Sequence, residues 1–400
     1  MPGRTLSAAN THGFNDLDMN LHMNHDDTSR AHFLIALKKR VNLTMGGQIR
    51  KNFEADMGPA LGRKAGHTLN DFSKTDRKLA KAAIERTHMY KAWAAMTYIS
   101  QGLMWEIVDG VLDHDLPRLQ KAFNEYKSRP GRLGSLKLNP ALKLPRNISE
   151  TEIHRQPGGF CYESHADDIT AGARYNGGGL MYSAGRGRKA VAGQSGGDFV
   201  LGILKERYPD FKPTRILELG CGTGRNTPSY KKLLPNAEVY GIDIAAGLLR
   251  FAHAYAEAEG QAVNFVQMDA TALDFPDESF DLVVSHILGH ETTTRGLPKW
   301  VTEAWRVLKP GGVAFHVDVP TQPGFLKLPD LVLNDWQVRY NGEPFWMGWA
   351  DADVKKIMRD AGVPDEAMFA EHMRRDEGGV WFCHGMRKPK TWSKSQRRAA

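Results

Sequence analysis

An α/β fold is predicted: a doubly wound, mostly parallel sheet with an antiparallel C-terminal strand, preceded by a mainly helical N-terminal region. Three observations predict it. From residue 198 onward, strand-like and helix-like segments alternate, the pattern that feeds a parallel sheet with helices on both faces. The run Arg215–Leu219 is apolar at most positions, as a strand covered on both sides must be, and it opens into glycines at 220, 222 and 224. Before residue 128, apolar residues recur instead at a spacing near 3.6.

Taken in order, residues 1–27 are polar and rich in Asn, His and Asp, and read as a flexible arm. Residues 28–127 form the helical region. Thr28 or Ser29 is the expected cap of a first helix, which Gly46-Gly47 weakens or ends. After a polar break at 71–76, one apolar stripe through Leu79, Ala82, Met89, Trp93, Met96, Ile99 and Leu103 predicts a helix to about Asp113, with Gly102 and Gly110 as interruptions. A short helix follows at 117–126. Residues 128–197 carry helix-breaking prolines and, from 171 to 197, many glycines, and read as a linker or lid. The α/β domain spans 198–386: strands near 215–219, 238–243, 263–267, 280–285 and 312–318, with helices near 199–207, 225–234, 245–259 and 298–307 between them. An aromatic insert covers 320–350. Residues 387–400 form a basic tail.

Composition narrows the function classes. With 41% hydrophobic and 25% charged residues the chain has the makeup of a globular protein, and no apolar run approaches the roughly 20 residues of a membrane span. The three cysteines are far apart, which excludes a zinc knuckle or disulfide framework and favours a reducing, cytoplasmic setting. No apolar leader segment is evident at the N-terminus. The net charge of +7 and the basic tail raise nucleic acid as a partner, but a solvated tail is the ordinary meaning of such a run, and nucleic acid is not expected.

The chemistry gathers at strand ends. Glycines after residue 219 allow a sharp turn and let a ligand approach the backbone, while the next helix presents free N–H groups. A nicotinamide site would show GxGxxG, but Arg225 stands where the third glycine should be; the pattern is GxGxG, preceded by Glu218. Asp243 ends the next strand, at the position that faces ribose hydroxyls in doubly wound sheets, and it also suits a helix cap. Asp269, followed by Ala270, ends the third strand and could accept a bond from an adenine amino group.

These segments, in this order and spacing, resemble the Rossmann-like (class I) S-adenosylmethionine-dependent methyltransferases, above all the small-molecule branch that includes quinone C-methyltransferases and sarcosine-type N-methyltransferases. The resemblance covers roughly residues 195–386. It implies S-adenosylmethionine as cofactor, with Glu218, Gly220 and Gly222 at its methionine portion, Asp243 at the ribose, Asp269 and Ala270 at the adenine, Ser285 with His286 beside the methionine, and Cys221 and Ile244 as further cofactor-binding residues. It also implies a closing antiparallel hairpin at 367–374 and 380–386 behind a helix at 351–361. Tyr175 is similar to a tyrosine that covers the cofactor in relatives.

A sulfonium methyl group is already activated, so alignment and water exclusion dominate its transfer, and a base serves only if the acceptor must lose a proton. Candidates for that base are His290 and His286 at the end of the fourth strand, with Glu291 to orient a histidine or bind a cationic amine. His316 and Asp318 end the fifth strand on the same side and are secondary candidates. His286 and His290 are four apart, a metal-ligand spacing, but no third ligand is evident, and no metal is expected. Trp336, Tyr340 and Trp346 of the insert are candidates for the acceptor pocket, or else a local core. The helical region is expected to form a lid and a homodimer interface. Two other functions compete: a nucleic-acid methyltransferase, although no Asn/Asp-Pro-Pro-aromatic tetrad follows the fourth strand, and a non-catalytic scaffold that binds the cofactor.

Overall fold

A computed structural model describes residues 16–56, 74–185, 195–321, 325–374 and 379–392. Only part of the expected arm lies among them, and that part is packed. Met19 is buried, and Arg118 donates to the carbonyls of Asp18 (2.7 Å) and Asn20 (2.6 Å). Helix α1 (His25–Lys39) starts earlier than the expected cap: Asn24 accepts from Asp27 N, and Asp27 returns the bond, a capping box. Gly46-Gly47 does not end the helical path. The chain passes through a π-helical stretch, Arg40–Met45, into α2 (Gly46–Asp56).

The single predicted stripe is two helices, α3 (Lys74–Arg86) and α4 (His88–Ser128), separated at Thr87, whose hydroxyl caps α4. The stripe therefore does not run as one face. Leu79 and Ile99 of the stripe are exposed, while Trp93 is buried as predicted; Ala80, Ile84 and Tyr90 complete the core beside it, and Met104 and Trp105 are also buried. Helix α4 runs unbroken through Gly102, Gly110 and Pro117, absorbing the separate helix expected at 117–126.

The stretch read as a linker is ordered where it is described. Strand β1 (Ser135–Lys137) is a parallel edge strand, and a short helix α5 (Arg146–Ser149) follows. Helix α6 (Thr170–Gly185) occupies most of the glycine-rich segment. Its glycines serve close packing rather than mobility: a Cβ at Gly177 would lie 2.4 Å from Leu21, and one at Gly178 would lie 2.4 Å from the Trp105 ring. Gly187 of the same segment lies outside the described residues.

The α/β domain then follows its predicted order: α7 (Gly196–Arg207), β2 (Arg215–Leu219), α8 (Thr227–Leu233), β3 (Glu238–Asp243), α9 (Ala246–Ala258), β4 (Asn264–Gln267), β5 (Phe280–His286), α10 (Leu297–Val307) and β6 (Leu308–Asp318). The insert folds into α11 (Leu328–Tyr340) and α12 (Trp346–Ala350). The expected final helix is α13 (Val354–Asp360), and β7 (Met368–Arg374) and β8 (Val380–Arg387) close the sheet. Strand order is β1-β4-β3-β2-β5-β6-β8-β7, parallel except for the β6/β8 and β8/β7 pairs. This is the predicted fold class, with β1 as an unforeseen eighth strand.

Apolar layers cover both faces of the sheet, one around Trp300 and Trp349, the other around Tyr230 and Phe265. The helical region adds two cores. One joins α1, α4 and α6 to Phe251 of α9; the other docks α11 on α2, α3 and α4. In the second, Trp336 meets Trp93 edge-on at 5.4 Å. Truncating Trp336 to alanine should thus cost stability, about 3–5 kcal/mol for a buried Trp, seen as a lowered thermal midpoint, while cofactor affinity stays within about twofold.

The tail also departs from expectation. Lys388 is buried and donates to the Leu308 carbonyl at 2.6 Å, and Arg387 lies over the Tyr208 ring at 4.3 Å. Lys394, Arg397 and Arg398 lie outside the described residues. No described helix is long and apolar enough to cross a membrane.

Candidate functional site

Parallel strands direct their carboxyl ends to one side, and there the sequence candidates converge. The turn after β2 takes the left-handed backbone its glycines permit, with φ +61° at Gly220 and +54° at Gly222. A Cβ at Gly220 would lie 2.7 Å from Leu288. Gly222 N donates to Asp243 Oδ2 at 2.9 Å and Ala245 N to Asp243 Oδ1 at 3.0 Å, so the acid closing β3 is tied to the glycine turn. Each oxygen retains a second lone pair for a ligand hydroxyl. Burial, with a smaller push from Glu291, raises the Asp243 carboxyl above its usual range despite those N–H bonds.

Glu218 is buried and accepts from Thr227 Oγ1 at 2.5 Å. Burial pushes its carboxyl up to about 8. The Cys221 thiol points into the sheet, against the space a Cβ on Gly241 would fill, which leaves only its backbone toward a ligand. Ile244 contributes its carbonyl to Gln267 Nε2 at 3.0 Å. Asp269 accepts from Thr271 N at 2.8 Å, and Ala270 packs against one of the sheet's two core layers.

The three residues read as catalytic do not form one group. Side chains alternate along β5 and separate Ser285 from His286. The Ser285 hydroxyl bonds His316 Nδ1 at 2.9 Å, while His286 Nε2 meets the Tyr230 hydroxyl at 2.8 Å under α8. His286 is thereby drawn away from His290, and the imagined pairing of these two histidines around one metal is not formed. His290 and Glu291 instead enter a network that the sequence did not reveal. His290 Nδ1 lies 2.6 Å from Asp318 Oδ1, and its Nε2 lies 3.7 Å from Glu291 Oε1. Glu291 Oε1 also meets His154 Nε2 at 2.8 Å, and His154 Nδ1 meets Glu343 Oε1 at 2.7 Å.

The order is Asp318–His290–Glu291–His154–Glu343. Burial alone would lower both imidazoles. The carboxylates outweigh it, holding His290 up to about 9 and His154 well above its ordinary value. Glu291 is held below the usual carboxylate range, because His154 beside it overcomes the effect of burial. The neighbouring carboxylates thus favour the protonated ring at His290, which opposes its reading as a free base.

His154 reaches this network through an uncommon backbone. It and Arg155 both have φ +57°, a conformation costing about 1–3 kcal/mol per non-glycine residue. Three contacts hold it: His154 N donates to Gly342 O at 2.8 Å, and its carbonyl accepts from Trp105 Nε1 (2.9 Å) and Gln101 Nε2 (3.1 Å) of α4. The N-terminal helices therefore position a site residue. Tyr175 stacks on His154 (6.1 Å, 25°), meets Phe160 edge-on (5.1 Å), and lies 3.7 Å from where a Cβ on Gly222 would stand. The network and the glycine turn thus share one wall.

Among the insert aromatics, Trp346 packs edge-on against His290 at 4.9 Å. Trp336 and Tyr340 do not join it. Helix α11 turns its apolar face to the helical core, leaving Trp336 there and Tyr340 exposed, which corrects their reading as pocket residues. An open groove lined by Arg207, Tyr208, Phe369 and Lys390 lies at the opposite, amino end of the parallel strands and shares no residue with the site.

Residues 216–312 match the family model described as methyltransferase domain, a stretch from β2 into β6 that contains each glycine and each strand-end acid of the site except Asp318. The domain is a class I S-adenosylmethionine-dependent methyltransferase domain. The match is to this stretch of the chain, and domains of that class take S-adenosylmethionine as methyl donor. It is similar to demethylmenaquinone methyltransferase of Thermus thermophilus, 40% identical over 28% of this chain and 50% of that one. It is also similar to malonyl-[acyl-carrier protein] O-methyltransferase of Methylococcus capsulatus, 38% identical over 25% of this chain and 35% of that one. The chain thus spans half or less of the length of these curated relatives. Among solved structures, a phosphoethanolamine N-methyltransferase 2 from Haemonchus contortus in complex with S-adenosyl-L-methionine shares 19% identity, with a TM-score of 0.38 and coverage of 48% and 52%.

Proposed function

We propose that the protein transfers a methyl group from S-adenosylmethionine to a small-molecule acceptor bound between the glycine turn and the buried His–carboxylate network. In this reading Glu218, Gly220 and Gly222 hold the methionine portion, Asp243 the ribose, and Asp269 the adenine. Tyr175 and Trp346 wall the acceptor side, and Glu291 with His290 orients the acceptor's polar group. The observation that carries the reading is a pair of buried carboxylate oxygens, Glu291 Oε2 and Glu343 Oε2, that have no hydrogen-bond partner among the described residues. Buried acceptors of this kind are normally satisfied, so they favour a ligand bearing amino or hydroxyl donors. The relatives named above are named for chemically different acceptors, demethylmenaquinone and malonyl-[acyl-carrier protein], and do not choose among them.

Transfer itself is an in-line displacement at a carbon the sulfonium already activates. The protein's part is to bind both partners in line and exclude water. The test is a panel of amine, phenol and carboxylate metabolites, with S-adenosylhomocysteine formation as readout. Turnover with an amine or hydroxyl compound supports the reading; turnover only with nucleic acid, or none with any class, sinks it. The nucleic-acid alternative draws less support, since Lys388 of the basic tail is buried and Arg387 is engaged with Tyr208.

The Glu218 carboxyl adds a pH prediction. Its value of about 8 means that the free protein carries a proton there at pH 7. A methionine ammonium alongside would favour the carboxylate, so cofactor binding should expel that proton. Affinity then rises with pH, by up to about tenfold per unit, and levels off above pH 8. Titration calorimetry in buffers of different ionisation enthalpy should read a proton released at pH 7, and Glu218→Gln should abolish both the release and the pH slope. A flat profile in the unmodified protein would contradict this role.

A further inference from the structure

The His–carboxylate network has a composition that methyl transfer does not require. Two imidazoles present Nε2 to the same oxygen, Glu291 Oε1, at 2.8 Å from His154 and 3.7 Å from His290. Each ring is held from behind at Nδ1 by a separate buried carboxylate, Glu343 at 2.7 Å and Asp318 at 2.6 Å. This is how metal-bound histidines are oriented, with an outer carboxylate fixing the tautomer and the ring plane. Ligand atoms from His154, Glu291 and Glu343 all lie within 4.8 Å of one another; His290 stands outside that group and adjoins it through Glu291 Oε1, 3.7 Å from its Nε2. A second, independent observation points to a ligand: Glu343, with 1% of its surface exposed, and Glu291 each keep an oxygen without a partner inside this cluster.

We propose that His154 Nε2, His290 Nε2 and the Glu291 carboxylate form a binding site for a divalent first-row transition-metal ion, with Glu343 and Asp318 as outer carboxylates. Two imidazoles and one carboxylate select such ions over magnesium or calcium, which take oxygen ligands. Around a dication with neutral imidazoles, the three carboxylates supply the compensating charge. Three protein ligands leave positions for an acceptor oxygen or nitrogen, as open metal sites do. The two ring nitrogens must close on the ion from their present positions, since ligands on one such ion stand only about 3 Å apart. The strained backbone at His154 is the expected mark of a residue held in place for a purpose other than stability. The inference concerns the ion alone and does not depend on which acceptor is methylated.

The test uses tag-free, full-length protein dialysed against a chelator and titrated with Co²⁺, a probe whose visible absorption reports nitrogen and oxygen ligation. One equivalent per chain should develop a ligand-field band, and Zn²⁺ should displace it. His154→Ala and His290→Ala should each weaken binding at least about tenfold, and Glu343→Gln, which leaves all three ligands in place, about 10–100-fold. S-adenosylmethionine affinity measured on the same samples shows that each variant is folded and keeps this test separate from the assignment of the methyl donor. Absence of a stoichiometric band in the unmodified protein overturns the proposal. So does Co²⁺ affinity unchanged in Glu343→Gln and in whichever histidine variants retain cofactor binding.

Discussion

Asp243→Asn is expected to weaken S-adenosylmethionine binding by about 100-fold or more. The carboxylate accepts from Gly222 N and Ala245 N while keeping lone pairs toward the ligand. Asparagine keeps the shape but replaces one oxygen with a donor. Facing a backbone N–H, that donor turns a bond into a repulsion; facing a ribose hydroxyl, it replaces a charge-assisted acceptor with a neutral donor. Hydrogen bonds to a charged group are worth about 1.5–3 kcal/mol each, and loss of the charge weakens both ribose bonds, which together reach the stated factor. The side chain is buried, and burial already raises its pKa, so removing the charge costs the fold little. Calorimetry should show the lost affinity and a thermal midpoint within a few degrees of the unmodified protein. A change in dissociation constant under about threefold would remove Asp243 from the cofactor site.

The second large effect is expected at Glu291. Its carboxylate joins His154 from the N-terminal half of the chain to His290 of the α/β domain. Glu291→Gln removes the charge between two imidazoles while keeping the length of the side chain. Turnover should fall by about 100-fold, because misplacing a reacting partner by about 1 Å costs that much, while cofactor affinity changes less than about threefold. The acceptor KM and kcat, measured with whichever panel compound is turned over, separate the two roles. A variant with normal turnover would show the network to be structural. Loss of cofactor affinity in step with turnover would show that Glu291 serves the donor.

The fold was legible because its signals are local. Alternating apolar segments, glycines at 220 and 222 and acids closing two strands each obey a short-range rule, and the sheet follows. The errors arose where tertiary contacts override such rules. Thr87 splits one apparent helix into two, so the stripe does not run as one face, and Leu79 and Ile99 are exposed. Glycines at 177 and 178 look like a linker, yet they exist so that Leu21 and Trp105 can reach the helix axis. Trp336 looked like a pocket aromatic and is a core residue, since α11 docks on helices far away in sequence.

The donor side of the site was legible for the same reason the sheet was. The acceptor side was not. His154 and Glu343 lie in segments with no motif, and they meet only because Trp105, Gln101 and Gly342 grip one loop from two sides. The signal available in the sequence was faint: a histidine next to Gln156-Pro157-Gly158-Gly159, and a glutamate following Asn341-Gly342, both turn-forming contexts.

The most direct test of the whole account is titration of S-adenosylmethionine and S-adenosylhomocysteine into the full-length protein by calorimetry. The account predicts saturable binding of both at one site per chain, lost on Asp243→Asn and preserved on Trp336→Ala. No measurable binding of either compound to the unmodified, folded protein would contradict it.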